Sequence, residues 1–373
     1  MKIFQGTSAG KSLYGKDTIM LHILIIATGK AEKLKSTAEK RGHSVTVAHP
    51  RDFTMYISDS TRGYDSVFYN DTKVNPKHWD IIITRIGYDR EYTSKLLYHF
   101  EYNLGIPVMQ SGVGLQICSD KVKSAQIMSY TGIRVPKQIY TIDPKNIDFV
   151  IKKLGGLPVI LKEIEGSKGK GIILLESVRQ TNMTLESYYG SGKKIILQEF
   201  IDNGGKDERH IVVGDKVVCS MRRTAPKNDI RANLSLAGSG ERITPSDEVR
   251  KMCIDAVKAI PGLNFAGVDI MIKTNPKTKE ETPYFIEINA NPGEMIIDIT
   301  NHNYFDDLLL EAVNMIRRID TGESKNASSK YNYGGISIDR AIALYGSEAA
   351  FEFLAEAHRV CGTILAGSIK KKD

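Results

Sequence analysis

A chain of 373 residues, 41% hydrophobic and 25% charged, holds enough apolar material for two or three cores, which excludes wholesale disorder and any need for disulfides or structural metal. The 51 Lys and Arg against 44 Asp and Glu leave a formal charge of +7, too dilute over this length for a dedicated nucleic-acid binder but ample for a pocket that takes an anionic nucleotide. Cys118, Cys219, Cys253 and Cys361 stand far apart without CxxC or His-x-Cys spacing, so neither a zinc site nor a disulfide framework is expected.

Residues 1–20 are polar and glycine-rich and read as an extension, not a signal peptide. Gly6, Gly10, Lys11 and Ser12 imitate a phosphate-binding loop, but only three residues separate the glycines, one fewer than that motif needs, and no strand precedes them. From His22 the pattern is strand (HILIIAT), helix (Glu32 to Lys40, stopped at Gly42), strand (SVTVAHP), then a further strand, WDIIITRIG, and a helical stretch from Arg90 to Leu104. This predicts an open α/β layer. A helix from Asp120 to Tyr130 leads into the strand VPKQIY and a smaller lobe, whose strands PVILKEI and GIILLE flank the loop from Gly166 to Gly171. Hairpins follow: Glu208 to Val213 and Lys216 to Met221 flank a Gly214-Asp215 turn. A helix from Asp247 to Ile260, the strands FAGVDIMIK and PYFIEINA, and a helix from Phe305 to Arg318 complete this part. A polar stretch from Thr321 then leads to an apolar-periodic segment, Ile338 to Ala357, expected to be a helical appendage. The longest apolar runs, such as Ile23 to Ala27, are strand-length, so a soluble, cytoplasmic protein without a membrane partner is expected.

The strands around Asp269 and Glu287 carry the strongest chemical signal. Glu287 and Asn289 alternate with Ile286 and Ile288 and share one strand face. Folding the loop Thr274 to Thr282 about residue 278 sets Asp269 opposite Glu287. Opposed carboxylates on an apolar face are costly, and a hard divalent cation such as Mg²⁺ removes the cost. An ordinary hairpin with solvated acids is the other reading. Lys162 interrupts an apolar strand and needs an anion, and the Gly-Lys loop after it offers backbone N–H groups to phosphates. That loop also reads as mobile surface, and Lys121, after Asp120, as a solvated first-turn residue. The segment after Glu199 offers backbone groups to an adenine edge, and the Asp207-Glu-Arg209 acids can take ribose hydroxyls. Arg222, Arg223, Arg231 and Asn233 form a cationic group, either a solvated rim or a binder of acidic substrate or phosphoryl charge.

In order, SDKVKSAQIM, PVILKEIEGSKGKGI, QEFIDNGGKDERH, MRRTAPKNDIRANLSLAGSG, FAGVDI and FIEINANPG resemble the motifs of the ATP-grasp superfamily, and within it the RimK-like carboxylate–amine ligases. The resemblance spans about residues 21–319. It implies an α/β ATP-grasp fold: an extension (1–20), a pre-ATP-grasp α/β domain (21–118), a central lobe (119–200), a C-terminal lobe with the Mg²⁺ site (201–319), and a linker with appendage (320–373). ATP would lie between the two lobes. Lys121 and Lys162 would grip its phosphates under the loop containing Gly169 and Gly171. Glu199, Phe200 and Ile201 would line the adenine, and Asp207 the ribose. Asp269, Glu287 and Asn289 would hold two Mg²⁺ ions, with Mn²⁺ as a substitute. Arg223 would stabilise the transferred phosphoryl group, and Arg231 and Asn233 would border the acyl pocket.

The expected reaction joins an amino acid to a carboxylate on a small molecule, peptide or protein C-terminus through an acyl-phosphate, releasing ADP and phosphate, with no nucleic-acid partner. A kinase-like phosphotransferase and a nucleotide-responsive binding module are the alternatives, and homo-oligomer formation is left open. The extension, the tail, Asp207-Glu208 and the residues Glu294, Met295 and Ile296 depart from the ribosomal-protein glutamate ligase pattern, so the substrate is not specified.

Overall fold

The computed structural model describes residues 19–29, 31–57, 67–141, 146–163, 171–190, 194–226 and 239–320. Most of the expected extension, most of the glycine loop with Gly169, the stretch carrying Arg231 and Asn233, and the expected tail helix lie outside these residues.

The first domain is built on a parallel sheet of β1 (His22–Ala27), β2 (Ser44–Ala48) and β6 (Ile81–Arg85), ordered β2-β1-β6. Between β2 and β6 lies a small antiparallel sheet of β3 (Phe53–Met55), β4 (Val67–Tyr69) and β5 (Thr72–Lys73), which hydrophobic periodicity does not announce. The helix α1 (Glu32–Lys40) has the bounds its apolar spacing predicts. α2 (Arg90–Tyr98) continues into a π-helical turn, His99–Asn103. α3 (Gly112–Ser119) and α4 (Lys121–Tyr130) follow. α3 packs so closely on α2 that a Cβ on Gly112 would lie 2.2 Å from the Ser94 carbonyl oxygen. Asp120 caps α4, its Oδ1 accepting from the N–H groups of Val122 and Lys123.

The central lobe is an antiparallel sheet of β7 (Gln138–Thr141), β8 (Val159–Glu163), β9 (Ile172–Leu175) and β10 (Ile195–Glu199), ordered β7-β10-β8-β9, with α5 (Ile147–Leu154) and α6 (Val178–Gly190). The larger sheet comprises β11 (Lys206–Val213), β12 (Lys216–Thr224), β13 (Ser239–Arg242), β14 (Phe265–Thr274) and β15 (Glu281–Asn289), ordered β13-β12-β11-β14-β15. α7 (Asp247–Lys258), α8 (Met295–Thr300) and α9 (Tyr304–Asp320) pack around it.

The described residues form three cores. β1 is buried on both faces, as a central parallel strand must be. Leu24 and Ile26 join a core shared with α7 and the larger sheet, while Ile23 and Ile25 join one shared with α9. The first domain and the larger sheet therefore share two cores. The central lobe has its own, around Val159, Leu161, Leu185 and Leu197. The loop after β15 is moored to β6, since Asn291 Oδ1 accepts from the Ile86 N–H (3.1 Å) and the Thr84 hydroxyl (3.2 Å). Arg85 donates to the Pro292 carbonyl and Glu294 from above the ring of Phe305. Among the described residues no helix is long and apolar enough to cross a membrane.

Candidate active site

One face of the larger sheet gathers the charged residues. Strand alternation puts Asp207 and Arg209 on the same side of β11, and pairing sets Asp207 opposite Arg223 and Arg209 opposite Asp269. Asp269 in turn lies opposite Glu287. Both oxygens of Asp207 accept from Arg223 (2.6 and 2.7 Å). Both oxygens of Asp269 accept from Arg209 (2.7 and 2.6 Å), and Oδ2 also accepts from Arg223 at 2.9 Å. Arg209 reaches within 3.7 Å of Glu287. Asn289 Nδ2 donates to Glu287 Oε1 at 3.0 Å, which leaves the amide oxygen as a further donor atom.

These contacts fix the charge states. Burial pushes the Asp269 carboxyl up, but Arg209 and Arg223 outweigh it and hold the group well below the usual carboxylate range. Burial opposes the charge on Arg223, and Asp269 and Asp207 overcome it, so the guanidinium stays charged. The side chains of Asp269 and Arg223 are 5% and 6% exposed, whereas Glu287 retains 35%.

The central lobe faces this array with Lys162. On β8, Val159 and Leu161 enter the lobe core, so Lys162 takes the opposite face, where its Nζ donates to Gln198 Oε1 on β10 at 2.8 Å. Burial lowers its ammonium to about 8, against the attraction of Glu287 and with the help of repulsion from Lys121. Lys121, in the first turn of α4, is lowered by burial too, and Glu287 opposes that shift. The two lysines and Glu287 are thus electrostatic neighbours, drawn from three elements.

The remaining expected residues take less central places. Glu199 ends β10, accepting from the Lys137 N–H at 2.8 Å, and Phe200 and buried Ile201 belong to the non-regular link from the lobe to β11. Gly171 has φ +75°, and a Cβ there would meet the Glu163 side chain at 2.8 Å, so only glycine fits the foot of the loop. Asp207, expected on the ribose, is already engaged through both oxygens by Arg223. Arg209 and Gln198 were not singled out from the sequence. The only available signal was the Asp207-x-Arg209 alternation, which reveals a shared face but not which partners stand opposite.

The donor set suits a hard cation. Two carboxylates and an amide oxygen are oxygen ligands, and phosphate oxygens complete such a shell. Among the described residues no cluster of three or more His, Cys, Asp or Glu forms a self-sufficient metal cage. The two carboxylates and the amide oxygen fit a hard cation whose shell includes phosphate oxygens.

A small lobe with its own core beside a larger antiparallel sheet is the fold of the ATP-grasp class. Within that class the chain belongs to the RimK-like family: residues 118–313 match the RimK-like ATP-grasp domain and residues 21–115 the RimK pre-ATP-grasp domain. It is an ATP-dependent ligase. A probable alpha-L-glutamate ligase of Teredinibacter turnerae is 33% identical over 279 residues, covering 73% of this chain and 88% of that protein. One from Methanococcoides burtonii is 34% identical over 265 residues, covering 70% and 84%. Among solved structures, the ATP-grasp ligase PsnB, complexed with a precursor variant, Mg and ADP, aligns with a TM-score of 0.60 at 19% identity, covering 81% of this chain and 100% of that one. D-alanine–D-alanine ligase from Bacillus anthracis aligns at 0.54 and 19% identity, covering 81% and 99%. These two likenesses bear on the fold alone.

Proposed function

We propose that the enzyme joins an α-amino acid to a carboxylate through an acyl-phosphate, releasing ADP and phosphate. The observation that carries this reading is that Lys162, on one separately cored unit, lies within electrostatic reach of Glu287 on the Asp269–Glu287–Asn289 face of the other. Cations and hard oxygen donors converge there in a buried setting suited to a transferring phosphoryl group.

Lys162 and Lys121 bind the terminal phosphates, Gln198 orients Lys162, and the Glu199–Ile201 link receives the base. Asp269, Glu287 and Asn289 would hold two Mg²⁺ ions, which would supply charge neutralisation at the phosphates. Arg223, held by Asp207 and Asp269, stabilises charge on the phosphoryl group as the substrate carboxylate attacks it. The incoming amine then displaces phosphate from the mixed anhydride. Arg231 and Asn233 belong to the acyl pocket on the family resemblance. The curated relatives' name favours glutamate as the amino acid, and a peptide or protein C-terminus as the acyl side. The enzyme acts in the cytoplasm.

The test is isotopic. With oxygen label in the substrate carboxylate, label should appear in inorganic phosphate, and hydroxylamine should trap a hydroxamate only when ATP is present. ADP formation should depend on the amine. Label in AMP would replace this mechanism with adenylation, and amine-independent formation of a stable phosphorylated product would make the enzyme a phosphotransferase.

A further inference from the structure

Arg209 has no part in the function argued above, yet it makes the tightest contact with the proposed metal-binding face. Its guanidinium forks onto both oxygens of Asp269 and lies 3.7 Å from Glu287, bridging the two carboxylates that a cation would bridge. Asp269 already accepts three hydrogen bonds, two on Oδ2 and one on Oδ1, so few of its roughly four lone-pair sites remain. A divalent ion and Arg209 thus compete for the same oxygens.

The local charge count extends the argument. Asp207, whose carboxyl burial pushes up against the pull of Arg223, joins Asp269 and Glu287 to give at most three negative charges against four positive on Arg209, Arg223, Lys121 and Lys162. Arg90 and Asp120, both felt by Lys121, offset each other. A site with one excess positive charge repels an unaccompanied divalent cation. Phosphate oxygens reverse the sign and give Arg209 another anion to bind, since a guanidinium fork suits phosphate as well as carboxylate.

We infer that Arg209 is a competing counter-cation for Asp269 and Glu287, transferred to nucleotide phosphate, so that the metal binds with the nucleotide and not before it. This rests on Asp269 and Glu287 being the metal ligands, and assigns Arg209 a positioning role in the order of loading.

The experiment is Mn²⁺ binding, followed by the electron paramagnetic resonance signal of the free ion, with and without ADP. In the wild type, once the Mn²⁺ that ADP alone sequesters has been subtracted, ADP should strengthen Mn²⁺ binding to the protein by about a hundredfold or more. Arg209→Met keeps much of the stem and loses the charge. It should bind Mn²⁺ without nucleotide at least about tenfold more tightly than wild type, with the ADP enhancement reduced to match. Arg209→Lys, which keeps the charge, should stay within about threefold of wild type. Adding Asp269→Asn to Arg209→Met should abolish the gain.

A purely structural arginine would lower thermal stability without tightening Mn²⁺. If Arg209→Met folds poorly, Arg209→Gln carries the same expectation. Nucleotide-free Mn²⁺ affinity that is unchanged or weaker in a folded, uncharged variant overturns the inference, as does a gain that survives Asp269→Asn. Failure of the metal assignment itself shows separately: Mn²⁺ binding with ADP would then be unaffected by Asp269→Asn in the wild-type background.

Discussion

Asp269 and Glu287 stand opposite each other because Ile286 is an extra residue in β15. Nearer the tip of the hairpin Ile270 pairs with Phe285, and beyond the bulge Asp269 pairs with Glu287. An unbroken ladder would set Asp269 against Ile286. The burial of β15 records the slip: Pro283 and Phe285 are buried, then Ile288, and not Glu287. Two carboxylates on one face is therefore a product of the bulge, and it carries the proposed metal chemistry.

Glu287→Gln and Asp269→Asn should both abolish turnover, because a neutral amide cannot supply the charge that Mg²⁺ requires. Their stabilities should differ. Glu287 is partly exposed, and its loss should change unfolding free energy by less than about 0.5 kcal/mol. Asp269 neutralises two guanidiniums in a buried setting, and removing its charge should cost about 3 kcal/mol. Urea unfolding beside turnover assays checks both; equal stabilities would contradict the Arg209–Asp269–Arg223 arrangement.

Nucleotide binding near pH 8.5 should take up a proton at Lys162. Burial lowers its ammonium to about 8, and a neighbouring phosphate restores the charge. Titration calorimetry in two buffers of different ionisation enthalpy measures the uptake, which Lys162→Met should lose. Without nucleotide the sign is opposite to that of a paired lysine. Between about 8 and about 10.4 the unfolded chain holds the proton that the folded chain has released, so this group makes stability rise with pH across that window.

Asp207→Asn should lower kcat at least about tenfold while changing nucleotide affinity less than about threefold, since its oxygens orient Arg223. Steady-state kinetics with ATP and its deoxyribose analogue gives the check. A large rise in KM together with loss of discrimination between the two would return Asp207 to the ribose.

Gly267→Ala should destabilise the protein by about 1–3 kcal/mol and reduce turnover. Its Cβ would lie 2.8 Å from the Cβ of Pro292, whose carbonyl accepts from Arg85 and Tyr304, and Gly267 pairs with Asn289. Thermal unfolding and activity should fall together.

A protein comprising residues 19–320 should retain ATP-dependent turnover, because both family matches, residues 21–115 and 118–313, lie inside that span. A soluble truncated protein that no longer binds nucleotide would place part of the ATP site in the removed segments.

Local chemistry made much of this protein legible in its sequence. The apolar spacing of Glu32 to Lys40, the Gly214-Asp215 turn and the alternation of Glu287 with Asn289 specify elements through neighbours a few residues away, and those elements form. Other features depend on distant neighbours. The helix Gly112–Ser119 begins with a glycine because the Ser94 carbonyl approaches it, a contact invisible in a residue pattern. Lys162 declares its need for a partner, but Gln198 is found only when β8 and β10 pair. Charge pairing was decided by two slips of one residue: Ile286 bulges from β15, and Val218 from β12, where Val212 pairs with Val217 but Ile211 with Cys219. Counting from Gly214-Asp215 without that second slip would set Asp207 against Arg222 and leave Arg223 without its carboxylate partner. Turn residues and alternation are encoded along the chain, whereas a bulge forms where packing on both sheet faces favours one extra residue, and only the folded sheet sets that balance.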